Sequence, residues 1–187
     1  MALPRVPFWY LRHGETRYNA AGLSQGALDV ELNATGRAQA ERAGPFLAGR
    51  GITGIVSSPM LRTRETADIV NGFLRLGISY EPGLREVVFG GMEGKPLLPW
   101  FPEWLEGRYV PEGAESFAAL TVRVETAMET VLAGRPGPVL IVAHGGVFRA
   151  LRELMGLPRE GVTRNAVPLY CEPGEHGWQI VSPGEED

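Results

Sequence analysis

Phe8-Trp9-Tyr10-Leu11-Arg12-His13-Gly14-Glu15-Thr16 is the stretch from which the fold is read. Four bulky side chains with no charge among them predict a buried strand. Gly14 is expected to end it, because glycine enters a turn of positive φ without steric penalty. A cation and an imidazole therefore stand where a core strand opens into a loop. Ligands of open α/β sheets bind beyond the carboxyl ends of the strands. The same grammar returns at Val139-Leu140-Ile141-Val142-Ala143, which runs into His144-Gly145-Gly146. A helix follows with Val147, Phe148, Leu151, Leu154 and Met155 on one side. Its N-terminal glycines, Gly145 and Gly146, leave backbone N–H groups for an anion. Taken singly, His13 reads equally well as a surface polar residue capping a strand end, and His144 reads better as a satisfied histidine at a strand end.

Between these two units the chain alternates helix and strand. Arg17 to Leu32 has neither period, and Gly22, Gly26 and Asn33 mark it as a long loop carrying Asn19, Gln25 and Asp29. Long loops beside a candidate site tend to be functional. Thr35 is expected to cap a helix striped by Ala38, Ala40, Ala43, Phe46 and Leu47, with Pro45 as a kink and Gly49-Arg50-Gly51 as its end. Ile52 to Val56 reads as a second buried strand. Ser57-Ser58-Pro59 reads as a helix start, serine capping and proline in the first turn, and the helix runs to about Leu76. Arg62 lies in its first turn, close to the preceding strand end; Arg64 reads as solvated. Ile78 to Glu81 predicts a short strand and Pro82-Gly83 a turn.

Leu84 to Gly94 places two acids, Glu86 and Glu93, among apolar residues and glycines. A carboxyl with apolar neighbours holds its proton to higher pH, as a general acid must. Residues 95–113 are rich in proline and aromatics, with Trp100, Phe101, Trp104 and Tyr109. They read either as a lid over a pocket or as a seal on the core edge. Ser116 opens the clearest helix, whose stripe of Phe117, Leu120, Val124, Ala127, Met128 and Val131 is core packing. From Asn165 the chain reads as a hairpin, with strands over 167–171 and 178–181 joined by 173–177. Residues 183–187 read as a loose acidic tail.

Composition narrows the function. The 187 residues suffice for one domain, and a net charge of −4 argues against a nucleic-acid partner. No apolar run reaches membrane-spanning length. Pro4 and Pro7 interrupt the N-terminus, which reads as a lead into the first strand and not as a signal peptide. Cys171 is the one cysteine, so neither an intrachain disulfide nor a cysteine-based metal knuckle can form. A cytoplasmic protein is expected. The oligomeric state is left open, a homodimer included.

Alternation makes the strands parallel, so Arg12 with His13, Arg62 and His144 share one rim. Two arginines, two histidines, glycines and helix N-termini suit a phosphate, whose oxygens match the guanidinium fork. A neutral imidazole there is a competent nucleophile. Two histidines can also bind zinc. Each is flanked by a cation or by backbone N–H groups, however, and neither has zinc-ligand spacing. No metal and no cofactor are expected.

Leu11-Arg12-His13-Gly14-Glu15-Thr16 resembles the Arg-His-Gly signature of the histidine phosphatase superfamily, the phosphoglycerate mutase-like proteins. Asn19, Gln25-Gly26, Asp29 and Leu32 fall where that family's loop pattern has them. Ser57-Ser58-Pro59 through Arg62, Thr66 and Ala67 is similar to its second motif. Leu84, Glu86, Gly90 and Glu93-Gly94 resemble its third, and Pro111 to Ser116 its Pro-x-Gly-Gly-Glu-Ser turn, with Ala114 departing at the second glycine. Val142 to Gly146 resembles its last. The resemblance covers residues 8 to 170, and five motifs in family order are specific where Arg-His-Gly alone is not. It implies a three-layer α/β/α sandwich, its mostly parallel sheet bearing an antiparallel edge strand. It also implies a two-step phosphoryl transfer from a small phosphorylated substrate. His13 would become a phosphohistidine. Arg12, Arg62 and His144 would hold the phosphoryl oxygens, Asn19 and the Gln25-Gly26 backbone would assist, and Glu86 would protonate the leaving oxygen and then activate water.

Mutases of the family resemble longer chains, with an insertion after the acid motif that supplies basic residues for a carboxylate. Here residues 95–113 offer only Lys95 and Arg108. Gly146 stands where mutases tend to carry asparagine. Hydrolysis is therefore expected over mutase activity, and a non-catalytic phosphate-binding protein is the remaining alternative.

Overall fold

The computed structural model describes residues 3–135 and 137–182. In chain order the elements are β1 (Phe8–Arg12), α1 (Arg17–Ala20), α2 (Ala34–Leu47), β2 (Ile55–Ser57), α3 (Leu61–Leu74), β3 (Ile78–Tyr80), α4 (Trp100–Leu105), α5 (Phe117–Leu132), β4 (Leu140–Ala143), α6 (Gly145–Leu154), β5 (Pro168–Gly174) and β6 (Gly177–Val181). The strands form one sheet in the order β3-β2-β4-β1-β5-β6. β1 pairs with β4, and β2 with β3 and β4, in parallel; β5 runs antiparallel to β1. The antiparallel strand lies one in from the edge, because β6 pairs antiparallel with β5 and so runs with the others.

Strand alternation divides the core. Phe8, Tyr10, Val56, Ile141 and Ala143 pack on one face against α5 and α6, with Leu120, Val124, Met128, Phe148 and Leu151. Trp9, Leu11, Ile55, Leu140 and Val142 pack on the other against α2 and α3, with Ala40, Ala43, Leu47, Ala67 and Val70. β1 and β4 lie inside the sheet with both faces covered, which is why they read as unbroken apolar runs. The expected three-layer sandwich is what forms.

Several expected boundaries move, each for a local reason. The stretch from Arg17 to Leu32 is not all loop: Thr16 and Asn19 make a reciprocal capping box over the single turn of α1. Asn33, not Thr35, caps α2, accepting from Gly36 N at 2.8 Å. Asn33 also donates to Glu15 Oε1 at 2.8 Å, so the cap doubles as a tie to the loop after β1. α2 continues through Pro45 to Leu47. β2 begins at Ile55 and not Ile52, and takes in Ser57. α3 starts at Leu61, without a side-chain cap from its own segment; Asp29 Oδ1 reaches over from the loop and accepts from Leu61 N at 2.6 Å. Ser58 and Pro59 therefore lie before the helix. The final hairpin is tighter than expected, because pairing runs on to Gly174 and Gly177 and leaves only Glu175 and His176 as the turn. The tail at 183–187 lies outside the described residues.

Candidate active site

The parallel pairing of β1 with β4 continues one step past the strands, His13 N donating to Ala143 O at 3.0 Å. His13 and His144 are thereby brought side by side, ring centroids 5.4 Å apart, both essentially inaccessible to solvent. His13 Nδ1 lies 2.7 Å from its neighbour's carbonyl, Gly14 O. A carbonyl only accepts, so Nδ1 carries the proton and Nε2 keeps its lone pair. Burial, then Arg62 and Arg12, hold the His13 pKa well below the usual histidine value. The ring is neutral at pH 7. His144 is pushed down the same way, by burial first and then by Arg62, His13 and Arg12. Its Nε2 meets Ser58 Oγ at 2.8 Å, and its Nδ1 is buried without a partner among the described residues.

Arg12 donates Nη1 to Thr163 O at 2.6 Å. Arg62 is fully buried and donates Nη1 to Leu28 O at 2.7 Å and Nη2 to Gly26 O at 3.0 Å. Burial lowers its pKa to about 10, with Glu86 and Asp29 opposing, so it stays charged at neutral pH. On both arginines Nε is buried and unpartnered among the described residues. Two guanidinium nitrogens thus stand as unsatisfied donors in the neighbourhood of His13, beside the unpartnered His144 Nδ1; a buried donor left without a partner costs roughly 1–3 kcal/mol, and more when charged.

Above this floor opens a cleft of about 260 Å³, lined by Arg12, His13, Asn19, Gln25, Gly26, Glu86 and Gly145 among others. Seven of the nine expected site residues line it directly; Arg62 and His144 lie beneath. Asn19 Oδ1 accepts from Thr16 N at 3.1 Å and Asn165 Nδ2 at 3.3 Å, which leaves its own amide hydrogens for the cleft. Gln25 Oε1 is held by Thr16 Oγ1 at 2.9 Å. Glu86 Oε2 accepts from Gly146 N at 3.1 Å. The start of α6 is therefore not wholly open to an incoming anion, as the two glycines had implied: one of its N–H groups already holds the acid. Glu93 does not line the cleft; its Oε1 accepts from Ala27 N at 2.8 Å and Phe89 N at 3.2 Å and stitches the Gln25 loop to the acid segment.

Gly14 is glycine for a reason other than the one expected. Its φ is not positive. A Cβ there would overlap Gly36 O, and a Cβ on Gly36 would overlap the Glu15 backbone. The loop that carries His13 lies bare backbone against the first turn of α2. Thr66 Oγ1 completes the brace by accepting from Gly14 N at 3.0 Å.

The 95–113 segment divides its side chains between the core and the cleft wall. Trp104 is fully buried against Phe117 and Phe89, and Trp100 is nearly so, which makes them core. Leu97 and Phe101 instead line the cleft, together with Leu23 and Val162. Arg108 is engaged by Glu103 at 2.7 Å, and neither it nor Lys95 lines the cleft.

The model of the histidine phosphatase superfamily (branch 1) matches residues 8–183. The chain belongs to that superfamily. The uncharacterized phosphatase PhoE of Bacillus subtilis is 35% identical over 175 residues, covering 91% of this chain and 90% of that protein. The probable phosphoglycerate mutase GpmB of Yersinia enterocolitica is 36% identical over 196 residues, covering 94% and 91%. The mycobacterial glucosyl-3-phosphoglycerate phosphatase in complex with VO3 superposes with a TM-score of 0.83 at 30% identity, covering 94% of this chain and 97% of that one.

This histidine phosphatase also recruits residues that the sequence did not flag for the site. Asn165 Nδ2 donates to His13 O at 2.9 Å from 152 residues away, a link no local pattern announces. Arg149 lines the cleft, its guanidinium 5.3 Å from the Phe101 ring. It lies one helical turn beyond Gly145 on α6, so the 3.6-residue period was the signal that could have found it. Ser58 had been read as a helix cap. Among the described residues, no three of His, Cys, Asp and Glu are grouped as a metal site, and no helix is long and apolar enough to cross a membrane.

Proposed function

We propose that this histidine phosphatase hydrolyses phosphate monoesters of small metabolites through a phosphohistidine on His13. The observation that carries the reading is the bare Nε2 of a neutral, buried His13 beside two unpartnered donors, Arg12 Nε and Arg62 Nε, and the unpartnered Nδ1 of His144. In the first step His13 Nε2 forms a bond to phosphorus as the ester P–O bond breaks, and Glu86 gives its proton to the departing alcohol oxygen. In the second, Glu86 takes a proton from water, the water oxygen attacks phosphorus, and the N–P bond breaks to release phosphate. Charge on the transferring group is spread over three oxygens, which preorganised donors stabilise without reorganising. No step calls on a metal. The mycobacterial relative was solved in complex with VO3, which supports an oxyanion-binding reading for this chain. The leaving group would face Leu23, Leu97, Phe101 and Val162, with Arg149 at the edge.

The likeness to GpmB favours a second reading, phosphoryl transfer between positions of a phosphoglycerate. The absence of Lys95 and Arg108 from the cleft wall weighs against it. Turnover of p-nitrophenyl phosphate in EDTA, with acid-labile label from a phosphorylated substrate trapped on His13, is expected. Folded protein without turnover or label would overturn the proposal, and isomerised phosphoglycerate without net phosphate release would establish the mutase.

A further inference from the structure

Ser58 breaks a local rule. Serine followed by proline ahead of an apolar-striped segment ordinarily caps the helix. Here α3 begins three residues later, and a loop aspartate caps it. The Ser58 hydroxyl instead lies 2.8 Å from His144 Nε2, with both side chains fully buried. Its backbone is fixed on both sides: Ser58 N donates to Val142 O at 2.9 Å, and Ser58 O accepts from Ser57 Oγ at 2.8 Å and Thr63 Oγ1 at 2.9 Å. Departures of this kind from local sequence logic tend to mark functional positions.

A neutral imidazole has one N–H, so two arrangements compete at His144. In one, Nε2–H donates to Ser58 Oγ. The serine hydrogen then has no acceptor among the described contacts, and the Nδ1 lone pair is left facing the space where the proposed phosphoryl group would carry negative charge. In the other, Ser58 O–H donates to Nε2 while its oxygen accepts from Met60 N at 3.4 Å. Nδ1 then carries the proton and becomes a donor, and every group except Nδ1–H is satisfied within the protein. Only the second arrangement suits an anion, and only it gives the serine hydrogen an acceptor.

We infer that Ser58 is a positioning residue that holds His144 in its Nδ1–H tautomer, and so makes this histidine a hydrogen-bond donor to the transferring phosphoryl group. The inference rests on the phosphoryl-transfer reading above. Ser58 touches no reacting atom and acts only through His144. It also separates the two histidines by role: one presents a lone pair and the other a hydrogen.

The protein has three histidines, and His176 is exposed, so a two-bond ¹H–¹⁵N spectrum of ¹⁵N-histidine-labelled protein can be assigned with the help of His176→Gln. At pH 7, His144 is expected to show a protonated Nδ1 and a bare Nε2; the reverse pattern in the unmodified protein overturns the inference, whatever the variants do. Ser58→Ala is expected to shift that pattern toward Nε2–H and to weaken orthovanadate binding about tenfold, less than the roughly 10²–10³-fold loss that follows outright removal of a donor. Ser58→Thr, which keeps the hydroxyl, is expected to restore both. A merely structural serine would lower stability and leave the tautomer and vanadate affinity unmoved, and that result in folded Ser58→Ala also overturns it. Failure to label His13 with phosphate would instead remove the proposed function, leaving the tautomer assignment readable by itself.

Discussion

The unit β1–His13–Gly14 and the unit β4–His144–Gly145 begin from one sequence grammar and diverge in which ring nitrogen the protein occupies. His13 is tied through Nδ1 to the carbonyl of the next residue. His144 is tied through Nε2 to a serine 86 positions away. Each backbone carbonyl is pinned by a distant side chain, His13 O by Asn165 at 2.9 Å and His144 O by Tyr10 OH at 2.6 Å. After Gly14 the chain turns into a loop, whereas Gly145 starts a helix whose first turn holds Glu86. The comparison teaches that residue type and strand position do not assign a histidine's role. The hydrogen bond made by the other nitrogen does.

The largest effect should come from removing the proposed nucleophile. His13→Ala is expected to lower kcat on p-nitrophenyl phosphate by roughly 10⁵-fold or more, in the range of other covalent nucleophiles, and to abolish labelling. His144→Ala is expected to be milder, about 10²–10³-fold, the usual loss for one oxyanion donor, with labelling retained at a slower rate. Equal losses in the two variants, measured by single-turnover labelling, would erase the distinction between them.

A smaller effect concerns pH. Both histidines have folded pKa values below the unfolded value of about 6.5. As pH falls through that value, the unfolded chain takes up protons that the folded protein refuses. Stability is therefore full above it and declines below it, by up to about 1.4 kcal/mol per pH unit for each histidine. Urea unfolding at successive pH values should show this slope, and His144→Gln should halve it. The nucleophile itself stays neutral through the same range, so a drop in kcat centred on pH 6.5 would contradict its assigned environment. The smallest effect is expected from Asn165→Ala, which leaves His13 O without its side-chain donor and should cost about 1 kcal/mol in unfolding free energy.

What could be read from sequence was whatever a strand or a motif holds within a few residues. Unbroken apolar runs announced β1 and β4, the stripe from Phe117 to Val131 announced α5, and the ends of the strands announced the rim. Long-range side-chain bonds were not legible. Asp29 capping α3, Asn33 displacing Thr35, and Ser58 leaving its helix all depend on partners in other segments. The aromatic segment stayed ambiguous for the opposite reason. Trp104 and Phe101 lie one helical turn apart and look alike in composition, yet one is sealed in the core and the other faces the cleft. Orientation on a six-residue helix carries too little periodicity to decide between them.

The backbone seat formed by Gly14 and Gly36 reaches beyond the chemistry it supports. Gly36 lies in α2, where alanine would ordinarily be favoured by about 1 kcal/mol on intrinsic preference. Any engineering effort that rigidifies helices by replacing glycine would choose this position early, and would push the loop bearing His13 out of place. A mutational scan scored for both abundance and turnover should find Gly36 intolerant to every side chain, a remote fingerprint of a nucleophile that it never contacts.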